Sequence, residues 1–224
     1  MHPELKIERK TDLKTRDDIL AELAQEPRVD AAAVAVSVKD GVVSLTGHVS
    51  SFDQKIAAEA AVKRVMGVRA IAEEIEVRLP LADVRDDGEI AERAASLLAW
   101  TITAPPGGIK VKVEHGHVTL SGQADWGYQR QDAERAVRRL AGVRGVDNLI
   151  TLRSGVKQSD LEERIRKALM RNALVDAASI HVAIDGDKVT LTGQVRMWCE
   201  RDAAEEAVWT SPGVREVVDR LVII

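Results

Sequence analysis

Aromatic side chains make up only 3% of this 224-residue chain, so its core must be built from Val, Ile, Leu and Ala. Cys199 is the single cysteine, which excludes an internal disulfide and any structural zinc site built on cysteines. No run of about 18 apolar residues occurs, which excludes a membrane-spanning helix. Charge of either sign is not in excess: 32 Lys and Arg stand against 36 Asp and Glu, a formal net charge of −4. No global pull towards nucleic acid or anionic lipid follows from that balance, so binding of either kind would need a local patch, and nucleic acid is not expected as a partner. The N-terminus is charged from its first residues and has no apolar stretch of the kind that leads a protein to export. The expectation is a cytoplasmic protein, or a periplasmic one if Met1 is not the native start.

Catalytic signatures are missing too. There is no phosphate-binding glycine loop, no dinucleotide fingerprint and no paired-carboxylate motif. His115 and His117 flank a turn glycine with no carboxylates arranged around them, so they are expected on a turn surface rather than at a metal. No histidine recurs at a fixed offset from the repeated Ser and Thr residues, which leaves a triad unsupported. The expectation is a chain with no catalytic residues, no metal and no cofactor.

What the sequence has is a repeat. Val43–Gly47, Val118–Gly122 and Val189–Gly193 each spell Val-x-Leu-Ser/Thr-Gly. Twenty residues after each of those glycines comes Gly-Val-Arg, at Gly67, Gly142 and Gly213. Between the two glycines an apolar stripe recurs at helical spacing: Ala58, Ala61, Val62 and Val65, then Ala133, Ala136, Val137 and Leu140, then Ala204, Ala207 and Val208. The second glycine falls where a helix end favours positive φ. Before the first glycine, Val34, Val36 and Val38 alternate with small or polar residues, as do Ile109, Val111 and Val113, and Ile180, Val182 and Ile184. That is the period of a half-buried strand, and Asp40-Gly41, His115-Gly116 or Asp185-Gly186 turns it into a hairpin. In the third copy the turn glycine lies one position earlier, which predicts a different turn type.

Each hairpin is preceded by another helical stripe: Ile19 and Leu23, Ile90 and Leu98, and Leu161, Ile165 and Leu169. Ser159 and Glu162 form a capping-box pattern before the third. A last strand follows each Gly-Val-Arg, marked by Ile71 and Ile75, Val146 and Ile150, or Val217 and Leu221. The fold class is therefore α+β: three tandem α-β-β-α-β modules, each a three-stranded mixed sheet with two helices on one face. The expected boundaries are an N-terminal extension over 1–11 and modules over 12–80, 88–153 and 157–224. Residues 80–87 and 154–157 act as short linkers.

This assembled pattern resembles the BON domain, a family named for an osmotically inducible bacterial protein and nodulation-related proteins. The resemblance covers roughly residues 12–224 and rests on the Val-x-Leu-Ser/Thr-Gly strand, the glycine twenty residues on and the α-β-β-α-β order. It implies a non-catalytic binding module tied to osmotic stress, envelope integrity or general stress response. It also implies possible ligands: anionic phospholipid in several relatives, potassium in a cytoplasmic relative. A scaffold that binds other proteins is the remaining class.

Candidate binding residues come from where the copies differ. On the outward side of the second helix the first copy places Ile56, Ala60, Lys63 and Arg64, the second Gln131, Arg135, Arg138 and Arg139, and the third Asp202, Glu206, Trp209 and Thr210. Arg135, Arg138 and Arg139 are expected to form an anion-binding face, and Ile56 and Trp209 to bury against neighbouring modules. Arg69, Arg144 and Arg215 recur as well, and an arginine at a helix-to-strand junction is expected to serve structure.

Overall fold

A computed structural model describes residues 3–101, 108–153, 161–172, 175–211 and 213–224. Each module folds in the expected order. In the first, helix α1 (Pro3–Gln25) leads to strands β1 (Val34–Lys39) and β2 (Val42–Val49), helix α2 (Phe52–Lys63) and strand β3 (Ala70–Val77). The second comprises α3 (Asp87–Thr101), β4 (Ile109–Glu114), β5 (His117–Ala124), α4 (Gly127–Val137) and β6 (Gly145–Leu152). The third comprises α5 (Leu161–Arg171), β7 (Ile180–Asp185), β8 (Lys188–Val195), α6 (Trp198–Trp209) and β9 (Glu216–Ile223).

Three separate three-stranded sheets result, ordered β1-β2-β3, β4-β5-β6 and β7-β8-β9. The first two strands of each are antiparallel, with Val36 opposite Leu45, Val111 opposite Leu120 and Val182 opposite Leu191. The third strand of the first two sheets runs parallel to the central one, with Val43 beside Ile71 and Val118 beside Val146. The chain forms two compact units: Met1–Ala82 with Arg196–Cys199 and Ile223–Ile224, and Asp83–Val195 with Glu200–Val222.

The cores are aliphatic, as the shortage of rings demands. In the first module Ile19, Leu23, Val43, Leu45, Ala61 and Val62 are fully buried. Ile90, Val118 and Leu120, and Ile165, Val189 and Leu191, hold corresponding places in the other two. The Val-x-Leu strand is thus the central strand, its Val and Leu both facing the helices. The glycine that ends the motif has a different cause. At Gly47, Gly122 and Gly193 φ is 122°, 119° and 132°, and a Cβ would stand 2.1, 1.9 and 2.1 Å from the carbonyl oxygen of Ala33, Gly108 or Ser179. Backbone occupies the space a side chain would need.

The hairpins also follow the repeat. Asp40 and Gly41, and His115 and Gly116, all have positive φ, the signature of a type I′ turn. In the third module the turn residues are Gly186 and Asp187, and positive φ is confined to Gly186, so that turn differs in type. A carboxylate from the first helix caps each of the first two turns: Asp12 accepts from the amides of Asp40 and Gly41, Asp87 from those of His115 and Gly116. The recurrent arginine closes the same turn from the other side. The amides of Arg69, Arg144 and Arg215 donate to the carbonyls of Gly41, Gly116 and Asp187, a main-chain bond, and the side-chain stems of Arg69 and Arg144 lie over Gly41 and Gly116.

Two expectations are corrected in detail. Helix α2 stops at Lys63 and α4 at Val137, so Val65 and Leu140, expected on the helical stripe, lie in the turns beyond them. Arg138 is the C-cap of α4, and Arg139 follows it, so only Arg135 of the expected arginine face lies within the helix. Helix α1 begins at Pro3, so the segment expected ahead of the first module is helical from Pro3 onward. The capping box at Ser159 and the linker 154–157 lie outside the described residues.

Candidate functional site

The middle module departs from the first at the start of its second helix, and the third carries Met197 at the same position. In the first module this helix has an ordinary N-cap: the Ser51 hydroxyl accepts the Gln54 amide at 3.3 Å, and Gln54 Oε1 accepts the Ser50 amide at 2.9 Å. In the middle module Gln129 keeps its half of the arrangement, accepting from the amides of Asp125 and Trp126 at 2.9 and 3.0 Å. The N-cap residue itself is Trp126, which supplies no oxygen. A side-chain cap contributes about 0.5–2 kcal/mol to a helix, and here it is replaced by an indole that stays 44% exposed.

Two more exposed rings share that end of the module. Tyr128 is 53% exposed on the first turn of α4, and Trp100, at the end of α3, is 92% exposed. Their common placement follows from the topology. Asp87, at the start of α3, is bonded to the hairpin turn. The 15 residues of α3 span ~22 Å at 1.5 Å per residue, about the length of the strand beside it. The helix therefore ends where β4 begins, and there Gln123 donates to Gly108 and Arg153 to Ala124 at the end of β5. Trp126 follows two residues later. Arg153 joins the same end, half-exposed and 3.8 Å from Asp125. In a chain so poor in aromatics, Trp100, Trp126 and Tyr128 are all exposed at one end of this module.

The arginines singled out from the sequence sit at the other end of α4, apart from the rings. Arg135 is half-exposed and ion-paired at 3.5 Å both to Asp132 and to Glu206 of α6. Arg138 is half-buried and Arg139 exposed. The three are not brought together as one open helix face. Ile56 is half-buried on α2, beside the fully buried Ala57. In the same compact unit Trp198 packs against the first module's core, with the Lys63 ammonium 5.5 Å from its ring centroid.

Trp209 lies at the end of α6. The Arg130 guanidinium stacks 4.9 Å from its ring centroid, and its indole N–H donates to Glu205 at 3.0 Å. Its backbone oxygen approaches Gly127 so closely that a Cβ there would be 2.3 Å away. Sequence reasoning overlooked Arg130 and Gly127. The available signal was alignment of the copies: Gly127 holds the position of Phe52 and Trp198, five residues after each strand glycine.

Titration is perturbed at one carboxylate of this module. The two turn amides that donate to Asp87 hold its carboxyl below the ordinary aspartate range. Among the described residues, no three His, Cys, Asp or Glu side chains converge on a point where a metal could sit.

The BON domain model matches three stretches of the chain, residues 11–78, 86–154 and 157–224. The chain belongs to the BON domain family. Osmotically-inducible protein Y of Escherichia coli strain K12 is 30% identical over 135 residues, 58% of this chain and 67% of that protein. Two solved structures of CdsD, a structural protein of the type III secretion system of Chlamydia trachomatis, align over 93% of this chain and 96% and 91% of theirs. Their identity is 18% in each case, with TM-scores of 0.26 and 0.27, at which whole chains cannot be compared. BON membership agrees with the α-β-β-α-β module, and no described helix is long and apolar enough to cross a membrane.

Proposed function

We propose that this chain is a non-catalytic binding protein of the osmotic stress response, and that its middle module contacts an anionic phospholipid surface. Kinship with osmotically-inducible protein Y supports the stress role. The observation that carries the lipid contact is the exposure of Trp100, Trp126 and Tyr128 at one end of the module, the end where Arg153 also lies. Trp and Tyr favour the headgroup boundary, where the ring body meets acyl chain and the polar atom meets water. An exposed indole at a helix start, where the first copy carries Ser51, fits a binding role. The arginines Arg135, Arg138 and Arg139 are the rival surface, already partly neutralised through Arg135.

Co-sedimentation with phosphatidylglycerol-containing vesicles tests this. Combining Trp100→Ala, Trp126→Ala and Tyr128→Ala, which adds no capping oxygen at the N-cap position, should weaken binding about tenfold or more while leaving the melting temperature nearly unchanged, since none of the three side chains is buried. Unaltered affinity in that variant removes the aromatic edge from the reading. No sedimentation of the unaltered chain removes the lipid contact altogether and favours a protein-binding scaffold.

A further inference from the structure

Two columns of the repeat meet in space in every module. Lys55, Arg130 and Arg201 each lie eight residues after the strand glycine, on the second helix. Glu73, Asn148 and Asp219 each lie six residues after the second glycine, on the last strand. The strand residue does one job in all three copies: its side-chain oxygen accepts the amide two residues on, at Ile75 (2.7 Å), Ile150 (3.3 Å) and Leu221 (2.8 Å). In the outer copies its other oxygen holds the basic residue of the helix. Glu73 pairs with Lys55 at 2.7 Å and Asp219 with Arg201.

The middle copy has an amide there. Asn148 turns its NH2 group to the Arg130 carbonyl oxygen (2.8 Å) and to Glu134 (3.1 Å), so it carries no charge to hold the guanidinium. The Arg130 side chain instead stacks on Trp209 of the third module. We propose that Asn148 is the specificity residue of a contact surface whose partner is the third module of this chain: exchange of acid for amide hands Arg130 to Trp209. Gly127 completes the surface by admitting the Trp209 backbone where the other copies carry Phe52 or Trp198. Two further contacts join the same modules. Arg135 pairs with Glu206, and Arg215 Nε donates to the Leu152 carbonyl at 3.0 Å. The middle module and the third module's Glu200–Val222 thereby belong to one unit, joined through changes at repeat positions outside the buried strands.

The surface is tested on the full chain by the indole N–H resonances of its four tryptophans, Trp209 being assigned through Trp209→Phe. Asn148→Asp should recapture Arg130 in the manner of Asp219, move the Trp209 resonance and leave that of Trp198 in place. In an Arg130→Gln background the same aspartate should move it no further, because the cation it acts through is gone. Gly127→Phe, which restores the residue size of the first copy, should raise amide exchange over 205–211 by about tenfold or more. A folded Asn148→Asp chain whose Trp209 resonance stays put overturns the proposal, as does an equal shift with and without Arg130. Should the aspartate variant not fold, Arg130→Gln alone decides: a stationary Trp209 resonance and unchanged exchange over 205–211 overturn the proposal equally.

Discussion

The glycines of this chain are its most informative residues, and each kind has its own cause. Gly122 combines a φ of 119° with a neighbouring carbonyl 1.9 Å from where a Cβ would stand. Gly122→Ala should therefore cost about 3–5 kcal/mol and unfold the middle module at ambient temperature, whereas Ser121→Ala next to it should shift the melt only slightly. Loss of the middle module's transition in calorimetry is the readout, and an unshifted transition would contradict the close approach. Asp87 gives a second residue-level expectation. Its carboxylate is held below the ordinary aspartate range by the amides of Gly116 and His115, so it stabilises the fold above that range, and this stability is lost as pH falls through the lowered value. Asp87→Asn should flatten the acid limb of the middle module's stability below about pH 4 while changing little of its slope near pH 7. An acid limb as steep as that of the unaltered chain would place the proton uptake elsewhere.

Elements whose pattern is strictly periodic were legible from residues alone. The strand alternation of Val34, Val36 and Val38, the turn dipeptides and the Val-x-Leu centre all reappear in place, because burial of one face dictates residue type at every second position. Helix ends were not legible in the same way. Val65 is buried and falls on the helical period, yet it reaches the core from the turn after Lys63. A stripe of apolar residues reports burial, and burial continues past the last helical hydrogen bond. The candidate site was legible only in part. Trp209 stood out as an outward ring, but its partners Gly127 and Arg130 are ordinary residues whose meaning appears only on comparing the copies, and Trp126 is not of a residue type by which an N-cap is read. The boundary between the first two modules makes a prediction at this scale. Leu81 is 94% exposed, and the segment around it has only a short 3₁₀ turn at Leu81–Asp83. Limited proteolysis should cut first within 80–87 and leave 88–224 intact longer than either of its halves, since Trp209, Arg135 and Arg215 hold those halves together. Early cleavage inside α3 or β4 would contradict this order.

For the whole molecule the deciding quantity is where charge can act. A net charge of −4 opposes approach to an anionic surface, so attachment must come from a local feature whose reach exceeds the repulsion or does not depend on charge. At physiological ionic strength charges act over about 8 Å, so only charges close to a candidate surface alter its field. The two surfaces then differ in their response to salt. Rings at a headgroup boundary respond weakly, because their contribution is removal of apolar area from water. Arginines respond strongly, and Arg135 starts from a deficit because Asp132 and Glu206 already face it. Combining Arg135→Glu, Arg138→Glu and Arg139→Glu should consequently reduce vesicle binding by no more than about threefold, and raising salt from about 50 to about 500 mM should change the affinity of the unaltered chain by a similarly small factor. The same triple variant sets a carboxylate against Glu206, so it should loosen the contact between middle and third modules and lower stability by about 1 kcal/mol, the upper range for an exposed pair. Abolished binding with an unchanged melt would instead assign the lipid contact to the arginines, and the aromatic edge would need another partner.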